Sequence, residues 1–300
     1  DGIGIKKDNE KAIDWYTKAA QQGEIKAMIR LGELYKGWYG QKPDRDLAIQ
    51  WYRQAANLGS EDAQLQESLL LVKGKGNEAN QSQVLKSLEL AASSGNAKAT
   101  TELGDFYIEG RNGKRDLALA IKYYQAAAKL GSADAAYKLA TLHKYGEGVS
   151  VDVQQSRAYF QKAAEAGMPM AQYRMGEIYY NGDGVDKNLA VAKEWFLKAA
   201  HQNLPIAQLK LGDMYHSGRG APRYLPRAVY WYKQSAMLGN TVAQYMLSVL
   251  YLHGRGVEMD MAKSVKWYNS AVANSDSAAA QMQIGKYYEY GRGFKQDRNE

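Results

Sequence analysis

The 300-residue chain contains no cysteine, which excludes disulfide bridges and thiolate metal sites and leaves the redox compartment open. Histidine is scarce too: a metal or acid–base centre would need several of the four to converge with other groups. No apolar run approaches the length that spans a bilayer. No proline- or serine-rich stretch marks a linker, so one continuous domain is expected. Charge is only mildly lopsided, at net +7 with a pI of about 9.1. Such an excess favours acidic partners without specifying nucleic acid, and no nucleic-acid partner is expected.

What the chain has in abundance is repetition. Asp8, Asp44, Asn80, Asp116, Asp152, Asn188 and Asp260 share one ladder with a step of 36 residues, and Tyr224 is its exception. Gly23, Gly59, Gly95, Gly131, Gly167 and Gly239 form a second, with Asn203 and Ser275 standing in for glycine. A third consists of aromatic pairs: Trp15–Tyr16, Trp51–Tyr52, Tyr123–Tyr124, Tyr159–Phe160, Trp195–Phe196, Trp231–Tyr232 and Trp267–Tyr268. A fixed period of this length indicates stacked two-helix units in place of a single globular core.

Residues 168–203 show the unit best. Ala171, Met175, Gly176, Ile178 and Tyr179 are spaced by threes and fours, the apolar stripe of a first helix. Gly176 costs helix stability relative to alanine, so a neighbouring helix is expected to approach closely there, as at Gly32, Gly104 and Gly212. Gly182 and Gly184 stop that helix, and Asn188, like the rest of its ladder, is placed to cap the next. The second helix buries Ala192, Trp195, Phe196, Ala199 and Ala200 and ends at Asn203 in a left-handed cap. In the first copy the same stripe is Ala12, Trp15, Tyr16 and Ala19.

Ala207, Leu211, Gly212, Tyr215, Gly218, Gly220, Ala228, Trp231, Tyr232, Lys233, Ala236 and Gly239 spell a pattern that resembles the Sel1-like repeat, a relative of the tetratricopeptide repeat. The resemblance covers essentially the whole chain. It implies an all-α right-handed superhelical solenoid of antiparallel helix pairs, about eight repeats, whose first helices line a concave inner face. The divisions expected are a partial repeat 1–23, repeats 24–59, 60–95, 96–131, 132–167, 168–203, 204–239 and 240–275, and a partial repeat 276–300. Copy 60–95 is degenerate, with Leu71 in place of tyrosine and Ser87–Leu88 in place of the aromatic pair. Because the chain opens in an inter-helix loop and closes a few residues into a second helix, terminal capping units are expected to lie outside this sequence.

The resemblance implies a monomeric, non-enzymatic adaptor binding other proteins through an extended peptide or loop, without cofactor. It points first to a bacterial, periplasmic or secreted setting and to membrane-associated factors acting on host proteins. Hydrolase activity suggested for some relatives finds no S-x-x-K or Ser/His/Asp constellation here, so no catalytic residue is assigned. Nor is a metal site: His143 takes a packing slot, His201 ends a second helix, and His216 and His253 fall out of phase. The paired glycines at 146–148, 182–184, 218–220, 254–256 and 291–293 lack both the third glycine of a dinucleotide loop and the Lys–Ser or Lys–Thr of a phosphate loop.

Two recognition surfaces remain. Off the packing stripe of the first helices stand Tyr137, Lys138, Tyr173, Arg174, Glu177, Tyr180, Lys210, Asp213, His216 and Tyr245. Aromatic anchors beside cations and acids suit a protein-binding groove, expected over residues 132–253. The alternative use of the tyrosines is packing between repeats. The second surface is a loop edge of Arg111, Arg219, Arg255 and Arg292, suited to anionic phospholipid. Trp38 and Tyr39, in an unusual loop, are a further candidate anchor, or else fold back over helix ends.

Overall fold

The computed structural model describes residues 8–37, 43–72, 78–111 and 113–273, and their regular structure is entirely α-helical. Among the described residues the helices are α1 (Asn9–Gln21), α2 (Ile25–Tyr35), α3 (Arg45–Asn57), α4 (Glu61–Val72), α5 (Glu78–Ser93), α6 (Ala97–Ile108), α7 (Leu117–Lys129), α8 (Ala133–Tyr145), α9 (Val153–Glu165), α10 (Pro169–Asn181), α11 (Leu189–His201), α12 (Pro205–Ser217), α13 (Leu225–Met237), α14 (Thr241–Leu252) and α15 (Met261–Ala273). Two compact units result, residues 1–142 with 146–150 and residues 143–145 with 151–300. In the first, α2 packs on α3 and α6 on α7; in the second, α10 packs on α11, α12 on α13 and α14 on α15. Within the first unit α3 also packs on α4 and α5 on α6, and within the second α11 packs on α12 and α13 on α14.

The ladder of Asp and Asn residues starts these helices as its chemistry requires. Asp8, Asp44, Asp116, Asp152, Asn188 and Asp260 each accept from the amide three residues on, satisfying a first-turn donor that the helix leaves unpaired. Asn80 does not conform: α5 begins at Glu78, so this member lies inside the helix of the degenerate copy. Tyr224 starts α13 with no side-chain cap. At the other end, the glycine ladder sits at φ between 81° and 93°, and Asn203 takes φ 60°.

The mid-helix glycines are explained by rings. A Cβ on Gly32 would stand 2.6 Å from Tyr52, and one on Gly212 2.5 Å from Tyr232; Gly104 and Gly176 face Tyr124 and Phe196 in the same way. In these four pairs the second aromatic therefore forms the core: Tyr52, Tyr124, Phe196 and Tyr232 are fully buried. The first member is more often a rim residue, although Trp231 is buried. Trp195 is only half-buried, and Trp15, expected in the first stripe, is 69% exposed with Tyr16 at 37%. Trp15 instead carries the Lys18 ammonium 4.6 Å above its ring.

A further period ties pairs together. Gln172, Gln208 and Gln244 are buried, and each donates Nε2 to a carbonyl near the end of the preceding second helix, Ala164, Ala200 and Ala236. Each of these carbonyls also accepts the backbone amide three residues on, from Gly167, Asn203 and Gly239, so the glutamine adds a second donor that reaches across from the next repeat.

Candidate functional site

In the first unit the inner positions close on themselves. Asp105, from α6, accepts from the Tyr124 hydroxyl at 2.5 Å and from Lys138 Nζ at 2.7 Å through both oxygens. Asp134 adds a second carboxylate 3.1 Å from that ammonium. Burial opposes the charge on Lys138, but the bond and charge of Asp105 outweigh it and hold the ammonium pKa above its ordinary value. Burial, then the Asp105 bond, pushes the Tyr124 phenol up. Burial also raises the Glu102 carboxyl, with the neighbouring Asp105 charge acting in the same direction. Tyr137 is half-buried in the same unit.

In the second unit the candidates divide. Tyr173 and Tyr245, expected as groove anchors, are buried to 3% and 0% exposure. Tyr173 rests against Phe196 and donates to Glu177 Oε1 at 2.8 Å; the ring is packing, not a free anchor. The cause lies in the partner ring. Tyr124 and Tyr232 send their hydroxyls to Asp105 and Asp213, whereas Phe196 has none, leaving Glu177 to accept from Tyr173. Glu177 Oε2 also takes Arg174 at 2.7 Å. Asp213 is engaged by Tyr232 at 2.8 Å, and His216 lies edge-on to the same ring at 6.4 Å. Tyr180 remains half-exposed, with Arg219, Lys210 and Lys187 at 5.5, 5.8 and 6.0 Å from its ring centre.

Beside this face, α9 and α10 enclose a cleft of about 500 Å³. Val153, Phe160 and Ile178 supply apolar walls, Lys144, Arg157 and Arg174 cations, and Glu177 and Asp183 acids. Arg157 is steadied by its Nη1 donating to the Gly184 carbonyl at 3.2 Å. An apolar cleft with a few convergent charged groups is the usual form of a recognition pocket. Of its lining only Arg174 and Glu177 were expected. Lys144 and Arg157 did carry a signal, since each stands one period after an isoleucine, Ile108 and Ile121.

The arginines expected along one loop edge differ in their surroundings. Arg111 is half-buried and ion-paired with Glu109 at 2.6 Å, and Arg219 belongs to the Tyr180 cluster. Arg255 is exposed, and Arg292 lies outside the described residues, as do Trp38 and Tyr39. Two further histidines pack on rings: His143 stacks on Tyr159 at 5.7 Å and His201 meets Trp231 edge-on at 5.8 Å. Among the described residues no three His, Asp or Glu side chains gather to hold a metal ion, and no helix is long and apolar enough to cross a membrane.

Ring-into-glycine packing, capped helix pairs and the 36-residue period together define an all-α solenoid built from repeated helical hairpins. The family model described as Sel1 repeat matches residues 1–24, 25–60, 97–132, 133–168, 169–204, 205–240, 241–276 and 278–300, and the chain belongs to the Sel1 repeat family. The unmatched stretch, 61–96, contains α4 and α5. Among solved structures, the chain is similar to a Sel1 repeat protein from Oxalobacter formigenes, with 32% identity and a TM-score of 0.75 over 94% of this chain and 82% of that one. It is similar also to a protective antigen of uropathogenic Escherichia coli strains that displays an SLR fold, with 31% identity and a TM-score of 0.73 over 96% of this chain. The chain spans 62% of that antigen's length. No curated protein matches it. Sel1 repeat proteins are in general protein–protein interaction scaffolds.

Proposed function

We propose that the protein is a non-enzymatic adaptor whose second unit holds an extended segment of another protein across α10, using the α9–α10 cleft on one side and Tyr180 on the other. The observation that carries this is the cleft itself, about 500 Å³ and lined by apolar side chains together with three cations. Lys144, Arg157, Arg174, Glu177, Tyr180 and Lys210 make the contacts; Tyr173, Tyr245 and Asp213 hold the framework behind them. A preformed framework lowers the ordering cost of binding, because its side chains are already held by Glu177 and by the packed rings. The surrounding charges set specificity and encounter rate more than affinity.

A photo-crosslinking side chain at exposed Asn181, beside the cleft, tests the reading against the same group at exposed Glu194 on α11. A discrete partner segment is expected at position 181 alone, lost when Arg157 and Arg174 are both changed to Glu. Indistinguishable products from both positions would remove the groove.

A further inference from the structure

Three cations converge on Tyr180, and the repeat register shows what each of them lacks. Lys210 follows Lys138 by two periods, and Glu177 follows Asp105 by the same step. Lys138 chelates Asp105, but Glu177 already accepts from Tyr173 and Arg174, and Lys210 turns to the Tyr180 ring. Arg219 follows Arg111 by three periods; Glu109, the partner of Arg111, becomes Ser217. Lys187 follows Arg115 by two periods, and the acid that Arg115 meets, Glu147, becomes Arg219 itself. Each counterpart in the first unit is neutralised by a carboxylate. Among the described residues none of Lys187, Lys210 and Arg219 forms an ion pair. All three lie within 6.0 Å of one ring centre, so an incoming anion would relieve their mutual repulsion.

We infer that this cluster receives an acidic, carboxylate-rich extended segment of a protein partner. The inference rests on the reading of α10 as a partner-binding helix and names the chemistry of what binds there. A compact phosphate group fits less well, because such groups are normally cradled by free backbone amides at loops and helix starts. Here the amides flanking the loop cations are already used: Asn188 accepts from those of Ala190 and Val191, and Ser217 Oγ from that of Arg219. The anion is left to side chains spread around a ring. That spread suits successive carboxylates on one side of an extended strand, roughly 7 Å apart. A bilayer surface fits less well too, since Tyr180 and Lys210 are half-buried on helices and not on an exposed loop edge.

The test is fluorescence anisotropy on the whole chain with a short labelled peptide of alternating glutamate and glycine. Saturable binding is expected, weakened about tenfold by Lys187→Gln, Lys210→Gln and Arg219→Gln together, and weakened by added salt as exposed charges are screened. A control with Lys198→Gln, Lys233→Gln and Lys266→Gln together, which removes the same three charges from exposed positions on α11, α13 and α15, should leave affinity within about twofold. Circular dichroism should show the triple variant folded, since it removes no ion pair. Equal binding by wild type and triple variant overturns the proposal. So does saturation by inorganic phosphate or phosphatidylglycerol vesicles with the peptide ignored. If the peptide fails while the position-181 crosslink persists, the acidic assignment falls and the groove stands; loss of both removes both.

Discussion

A methyl group is the smallest change that tests the core at the residue scale. Gly212 faces the Tyr232 ring with no room for a Cβ; where serine fills the glycine slot the opposing position differs, although Ala140 keeps a buried ring, Phe160, opposite it. Ser68 is answered twenty residues later by Leu88, and Ser248 by Tyr268, which is 37% exposed where Tyr232 is fully buried. Gly212→Ala is therefore expected to destabilise the protein by about 1–3 kcal/mol, as overpacking does. Helix propensity alone would predict a gain of up to about 1 kcal/mol, so the sign of the result decides between the two. Combined with Tyr232→Leu, the two losses should fall short of their sum, since the smaller side chain removes the clash; a denaturant double-mutant cycle measures the coupling. Additive losses would mean that the ring and the glycine do not meet.

At the scale of the element, the start of each second helix is a local matter, which is why the sequence reveals it. A cap needs one oxygen three residues ahead of an amide, and that relation survives whatever the neighbouring repeats do. Tyr224 breaks the ladder, is 56% exposed, and leaves α13 without a side-chain cap. Tyr224→Asp should stabilise the protein by about 0.5–1 kcal/mol, its carboxylate accepting from the Arg227 amide as Asp260 accepts from that of Lys263. Thermal melts of the two proteins would show it, and an unchanged or lower midpoint would count against the capping account. The same locality explains what stayed hidden. Equal spacing makes Tyr137, Tyr173 and Tyr245 equivalent in register but cannot say which way a phenol turns. For Tyr173 that depends on Phe196, which brings no hydroxyl to Glu177, whereas Tyr245 is buried although its ring position holds Tyr268. The cleft was hidden for a related reason: Lys144, Arg157 and Asp183 come from the end of α8, from α9 and from the loop after α10, and only packing brings them together. Asn80 marks the limit for the helices, since a degenerate copy moves the helix start while the periodic residue keeps its place.

Across the whole molecule, the buried phenols make stability depend on pH in one direction. Burial pushes up the pKa of Tyr52 and Tyr124 in the first unit and of Tyr173 in the second; carboxylates add to each shift, Glu33, Asp105 and Glu177 respectively. A phenol that holds its proton more tightly folded than unfolded contributes stability that is complete below the unfolded pKa of about 10. As pH rises past that value the unfolded chain ionises first, and the contribution is lost up to the folded pKa. Lys138, raised by Asp105 against the opposing effect of burial, has the same sign, and its contribution is also lost on the alkaline side. Because none of these groups opposes the others, the melting temperature should be flat between about pH 8 and 9 and drop by about 5 °C or more towards pH 11. Tyr124→Phe should lower the midpoint at pH 8, where the bond to Asp105 is missing, yet make the alkaline decline shallower because one titrating phenol is gone. A decline of the same steepness in that variant would place the alkaline sensitivity in the exposed lysines instead of the buried rings.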